Sequence, residues 1–228
     1  MDSIAWHTLE VDETLERLNS SANGLSTEEA DRRLTEHGLN TMPEGERRSL
    51  VTMLLGQFSD FMIIVLLLAA VVSGFIGEPQ DTIAIIVIIL LNAIIGTVQE
   101  FRAERAVAAL RAMAAPDAHV LRDGQSITIT ASQLVPGDLV VVEAGNIVPA
   151  DLRLLKVEEM QVDESALTGE SQAVEKHSTR LKRRDLAISD CHNLVFKSTL
   201  ITSGRGQGVV FSTGLNTEIG HIADLLHS

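Results

Sequence analysis

Two apolar blocks without a single charge interrupt an otherwise polar chain. They are "FMIIVLLLAAVVSGFIG", Phe61 to Gly77, and "TIAIIVIILLNAIIGTV", Thr82 to Val98. With the preceding Gln57-Phe58-Ser59, the first is long enough to cross a hydrocarbon layer about 30 Å thick, and the second matches it. The pattern therefore predicts membrane helices over about 58–77 and 82–98. Only "EPQD", Glu78 to Asp81, lies between them, so the pair must form an antiparallel hairpin. A pair of soluble core helices is disfavoured, because the rest of the chain is too polar to wrap them. The polar stretch ahead of the first block argues against a signal peptide.

The second apolar block runs on into "QEFRAERAVAALRAM", Gln99 to Met113, which is Ala-rich and places Phe101, Val107 and Leu110 for one face. A helical stalk is expected there, ended by Pro116. Ahead of the hairpin, Val11, Leu15 and Leu18 form one short helical stripe, and Ala30, Leu34 and His37 a second. Ser26 and Glu29 have capping-box spacing, Gly38 closes the second helix, and "SSANG", Ser20 to Gly24, separates the two. No catalytic pattern is visible here. The expectation is a small helical pair packed on the domain that follows the stalk.

From Ala118 the period changes to two. "HVLRDGQSITIT" reads as a hairpin over Asp123-Gly124, a dipeptide that tolerates the positive φ of tight hairpin turns. "DLVVVEAG" and "DLRLLKVE" read as strands on either side of "NIVPA". "NLVFKSTLITSGRGQGVVFSTG" predicts at least two more, with a turn at Gly204 to Gly208. That glycine run lacks the Lys-Ser/Thr of a P-loop and opens no helix, which speaks against a phosphate cradle. "NTEIGHIADLLHS" predicts a capped helix starting near Asn216 or Thr217.

Charge narrows the function classes. A net charge of −13 argues against a nucleic-acid partner, whose phosphates need a basic face. Arg47, Arg48, Arg102, Arg105 and Arg111 flank the hairpin, whereas its tip has two acids and no base. The positive-inside rule then puts both termini in the cytosol. "RLKRR", Arg180 to Arg184, reads as a solvated loop. Asn92 and Gly96 inside the second block read as helix-packing residues. Cys191 is the single cysteine, and Cys191-His192 has no second pair to complete a metal site, so a plain thiol is expected.

One stretch remains, "DESALTGESQAV", Asp163 to Val174. Glu170 sits in a Thr-Gly-Glu-Ser turn with no catalytic partner nearby in sequence. "LVPGDLVVVEAGNIVPADLRLL" followed by "VDESALTGES" resembles the actuator domain of P-type cation-transporting ATPases, in particular their calcium-pump-like branch. The likeness extends to the amino-terminal helices, to "QFSDFMIIVLLLAAVVS" as first membrane helix, to "NAIIGTVQEFRAERAVAALRAM" as second helix and stalk, and to "STGLNTEIGHIADLL" beyond. Nearly the whole chain is covered in order.

The resemblance implies an α+β membrane protein: a transmembrane hairpin with a stalk, and a mostly antiparallel, distorted jelly-roll-like cytosolic actuator domain. The expected division is 1–50 for the helical segment, 51–115 for hairpin and stalk, 116–215 for the actuator and 216–228 for a helix leading to a third span. It also implies that Glu170 positions and activates the water that hydrolyses an aspartyl phosphate, with Thr168, Gly169 and Ser171 forming its loop. The acceptor aspartate motif, the nucleotide-binding domain and the remaining membrane helices would belong to a longer pump, which needs ATP and Mg2+. The cation it suggests is Ca2+, and the setting the lipid bilayer of a plasma or inner membrane. For Asp60 two readings stand, a point where ions are admitted or a mark of the membrane interface. By itself the chain is not expected to turn over ATP. The alternative is a non-catalytic, membrane-anchored module that binds a partner.

Overall fold

The computed structural model describes residues 4–42, 49–77, 79–113, 116–170 and 172–227. These fall in two compact units, one within 1–43 and 115–228, the other within 44–114. The first unit opens with α1 (Val11–Arg17) and α2 (Thr27–His37). Ser26 caps α2 by accepting from Glu29 N, and Gly38, at φ 76°, closes it. Glu29 does not return the capping bond; its carboxylate binds Arg32 and Arg33 instead. The second stripe differs from expectation at one place, since His37 is exposed and Arg33 is buried. The reason is carbonyl density. The Arg33 guanidinium donates to Leu18 O at 2.8 Å, Pro136 O at 2.7 Å and Asn19 O at 3.0 Å, so its charge is hydrogen-bonded inside the fold.

Other bonds seal the amino-terminal segment to the remainder of this unit. Trp6 stacks on Phe211 with ring centres 5.7 Å apart. Arg153, fully buried, donates to Leu9 O at 2.9 Å, and Asn193 to His7 O at 2.8 Å. Asn40 is a buried knot: its amide donates to Ala131 O and Pro149 O, and its Oδ1 accepts from Lys197 Nζ and Gly214 N.

The second unit holds α3 (Leu50–Gln57), α4 (Phe61–Ile76) and α5 (Pro79–Met113). Within α5, Pro79–Val107 is long and apolar enough to span a membrane by itself. The first apolar stretch is broken at its start, where α3 and α4 meet at 62°. Asp60 lies at that break, and its carboxylate accepts from Met62 N at 2.8 Å, restarting the helix as its N-cap. The Gln57 side chain occupies the space beside Gly96 and donates to Glu100 at 3.1 Å, so the glycine admits a neighbour between helices. In the stalk, Phe101 and Val107 are exposed and the Arg105 guanidinium lies 5.3 Å from the Phe101 ring. The Leu110 side chain, like Arg47, Arg48 and Glu78, lies outside the described residues.

The first unit continues with β1 (Asp117–Arg122), β2 (Gln125–Thr130), β3 (Leu139–Glu143), β4 (Asp151–Asp163), β5 (Val174–Glu175), β6 (Leu194–Val195) and β7 (Leu200–Ser212). They form one antiparallel sheet ordered β2-β1-β3-β7-β4-β5, with β6 also paired to β4. The β1–β2 turn is Asp123 at φ 51° and Gly124 at φ 73°, the left-handed pair that matches hairpin twist. Val120, Leu134, Val140, Leu152, Leu154, Met160, Val162, Ile201 and Val210 fill the core. Each such side chain contributes about 1.5–3 kcal/mol through burial.

Gly204 to Gly208 correct the sequence reading: they are no turn but the middle of β7. A Cβ at Gly206 would come within 2.8 Å of Lys156 O, and one at Gly208 within 2.9 Å of Leu152 Cβ. The glycines therefore let β7 close on a bulged stretch of β4, where pairing slips between Leu154 and Lys156 and between Glu158 and Gln161.

Helix α7 (Glu218–His227) starts on a buried carboxylate. Asp151 accepts from Lys197 N and from Glu218 N, each at 2.8 Å, and Thr217 Oγ1 accepts from Gly220 N. Burial nevertheless pushes the Asp151 carboxyl up to about 6 from the usual 3.8. The fold thus holds a proton that the unfolded chain releases, so this group's stabilisation is full below about pH 4 and is lost as pH rises through about 6. Compared with Asp151→Asn, the wild type should lose about 2–3 kcal/mol of its relative stability between about pH 4 and pH 7. Chemical denaturation of both detergent-solubilised chains at the two pH values measures this. A margin that grows with pH would mean that the two backbone donors outweigh desolvation.

Candidate functional site

The chain leaves the sheet at the end of β4, makes the short helix α6 (Ser165–Thr168), and returns at β5. Pairing of Val162 with Val174 and Gln161 with Glu175 closes the excursion. Local polar chemistry fixes its course. The Asp163 carboxylate accepts from Ser165 N at 2.9 Å, and the Ser165 hydroxyl and amide hold it below its ordinary pKa. Glu164 O accepts from Leu167 N, Thr168 N and Thr168 Oγ1. Gly169 then takes φ 76° and ends α6; among the described residues nothing beyond its chain neighbours lies within 4 Å of where a Cβ would stand, so backbone conformation alone favours glycine.

Glu170 follows, exposed to solvent, with its N–H donating to Thr168 Oγ1 at 3.2 Å. The Thr168 hydroxyl thus gives one bond and receives another, joining Glu164 O to Glu170 N. The structure brings Thr168, Gly169 and Glu170 together on one short turn, while Ser171 lies outside the described residues. Asp60 belongs to the other unit, where its carboxylate is engaged as a helix cap.

A pair that the sequence reading missed lies beneath the turn. Glu164 and Lys176 meet with Nζ 2.6 Å from Oε1, their side chains only 1% and 0% exposed. Burial pushes the Glu164 carboxyl up and the Lys176 ammonium down, and each partner's charge opposes the other's shift. Lys176 also donates to Cys191 O at 3.4 Å and, through its backbone, to Met160 O at 3.0 Å. The signal was present as alternation: Met160, Val162 and Glu164 are successive inward positions, so the third should have been read as buried.

The thiol of Cys191 is packed, and burial pushes it up to about 11, which leaves it protonated and unreactive at neutral pH. His192 Nδ1 lies 3.1 Å from Glu175 O, and its ring is 5.9 Å from that of His177. Among the described residues no three His, Cys, Asp or Glu side chains converge as metal ligands.

Residues 112–227 match the P-type ATPase actuator domain, and residues 6–73 match the cation transporter/ATPase N-terminus. The chain belongs to the P-type ATPase family. It is 42% identical to a calcium-transporting ATPase of Bacillus subtilis, over 98% of this chain and 25% of that protein. A calcium-transporting ATPase 1 of Lactococcus lactis is 40% identical over 96% of the chain and 25% of its own length. The sodium/potassium exporting P-type ATPase 2 of Saccharomyces cerevisiae is 37% identical over 97% and 21%. The chain thus spans about a quarter of the length of the relatives it matches, and it corresponds to the amino-terminal part of a P-type cation ATPase. The actuator match begins within α5 and takes in the whole sheet, α6 and the turn that carries Glu170.

Proposed function

We propose that this chain is the energy-coupling, amino-terminal portion of an ATP-driven calcium pump, and that its Thr168-Gly169-Glu170 turn, with Ser171, promotes hydrolysis of an aspartyl phosphate formed on another domain. One observation carries this reading: a carboxylate held out into solvent on a turn whose backbone is fixed by Gly169 and by both bonds of the Thr168 hydroxyl. Such a group can approach a crowded phosphoryl centre, orient a water in line and accept its proton. Small neighbours at the turn leave room for the phosphoryl oxygens.

ATP and Mg2+ would be held by domains beyond these residues, where the ion neutralises charge on the phosphoryl group. Residues 116–215 serve as the actuator, 51–115 as hairpin and stalk, and 216–228 as the lead to a further membrane helix. Both ends of the hairpin face the cytosol, as the flanking arginines and the acidic tip require. Calcium is chosen because relatives from Bacillus subtilis and Lactococcus lactis are named for it.

The test is uptake by inside-out membrane vesicles from cells producing a pump that includes this chain. External ATP should drive labelled calcium into the lumen, because only that orientation exposes the cytosolic domains to added nucleotide. Accumulation of sodium with no calcium uptake would overturn the ion, and uptake only into right-side-out vesicles would overturn the topology.

A further inference from the structure

We propose that the buried Glu164–Lys176 pair is a positioning device that aims Glu170, so that the sheet's interior sets the attitude of an exposed turn. The inference rests on the reading of Glu170 as the water-activating carboxylate. Glu164 joins both sides. Its carboxylate sits 2.6 Å from Lys176 Nζ out of solvent, and its carbonyl oxygen receives three bonds from the turn. One of these donors, the Thr168 hydroxyl, in turn accepts from Glu170 N. Through the covalent frame of Glu164, the ammonium of Lys176 is therefore linked to the backbone of Glu170.

The far end of that path is equally fixed. Lys176 follows directly on β5, donates from its backbone to Met160 O, and reaches Cys191 O with its side chain. The pair thus ties the residue that follows β4 to the one that follows β5, across the two β4–β5 pairings. Overall stability gives no reason for charges at this place. Two buried ions lose hydration, and a well-packed apolar pair of similar volume commonly folds as well or better. Among the described residues neither Glu164 carboxylate oxygen has a hydrogen-bond partner, so the contact is ionic, and an ion pair adds a preferred separation between its partners, which a greasy contact lacks.

The experiment compares wild type with the neutral double variant Glu164→Gln/Lys176→Met. In the detergent-solubilised chain, amide hydrogen exchange is followed at Thr168 and Glu170, and at Leu152 and Val209 in the core strands. The double variant is expected to exchange about 10-fold or more faster at the two turn positions while the core positions stay as slow as in wild type. In a pump that includes this chain, its phosphoenzyme should form from ATP at the normal rate and decay about 10- to 100-fold more slowly, the effect of a misaimed carboxylate. Wild-type exchange at the turn, or wild-type decay, overturns the proposal.

Glu170→Gln run alongside separates the two levels. If that variant itself decays at the wild-type rate, the reading of Glu170 falls and this inference with it. If it is slow while the double variant is not, only the inference falls. Should the core amides of the double variant lose protection, Glu164→Asp decides by the same two readouts, since it keeps both charges and shortens the reach by one methylene.

Discussion

In a pump that includes this chain, Glu170→Gln is expected to leave phosphoenzyme formation intact and to slow its hydrolysis by about 10²- to 10⁴-fold, the usual contribution of a positioned general base. The amide keeps the shape of the carboxylate and can still hold a water, but it cannot take the proton. The fold should be indifferent. Glu170 is exposed and its side chain makes no hydrogen bond or ion pair among the described residues, so the substitution should move stability by less than about 0.5 kcal/mol. Labelling the enzyme with radioactive ATP, chasing with unlabelled ATP and following the decay gives the rate directly. Decay at the wild-type rate would mean that another group activates the water, and the proposed role of the turn would be lost.

The largest effect on stability is expected from Asp138→Ala, a loss of about 3–5 kcal/mol. Asp138 is fully buried and receives Arg122 through a two-pronged contact, Nε at 2.8 Å and Nη2 at 2.7 Å, with Val135 N as a third donor at 3.0 Å. Removing the carboxylate leaves a guanidinium whose side chain is 8% exposed and whose remaining acceptor among the described residues is Gln133 O, at 3.3 Å. Arg205 and Glu158 are equally close, at 2.7 Å, yet both are about two-thirds exposed, and Glu158→Ala should cost less than about 1 kcal/mol. Denaturant titration of the three solubilised chains tests the contrast. Equal losses would show that distance, and not burial, sets the strength of these pairs. The joint replacement Arg122→Met/Asp138→Leu should recover most of the loss, because no charge is then stranded.

Much of this was legible because the relevant forces are local. Asp123-Gly124 adopts the left-handed turn its residue types allow, Ser26 caps where its spacing says, and the apolar blocks form helices. Sequence reading failed where a distant partner decides. Gly204 to Gly208 signal a turn when read alone, but β4 lies against them and converts missing side chains into close strand contact. Arg33 breaks an apolar stripe, yet three carbonyls brought in by other segments make its burial favourable. At the start of α4 the fault was of emphasis: hydropathy is blind to a bend between two apolar stretches, although Ser59-Asp60 before such a run is ordinary cap chemistry. The Thr-Gly-Glu-Ser turn was visible as a motif, but its footing in Glu164 and Lys176 was not, since a charged residue after a strand reads as solvated unless the inward alternation is carried on past the strand's last apolar position.

The bonds from Arg153 to Leu9, from Asn193 to His7 and from Asn40 to Ala131 and Pro149 bear on how the protein is made. The partners lie between 91 and 186 residues apart in sequence, with the whole hairpin between them. On the ribosome the amino-terminal helices emerge first and cannot close on the sheet until the hairpin and the strands beyond it have been synthesised. Maturation is therefore a two-step event in time: the early segment must wait through synthesis of the whole hairpin before the sheet can collect it.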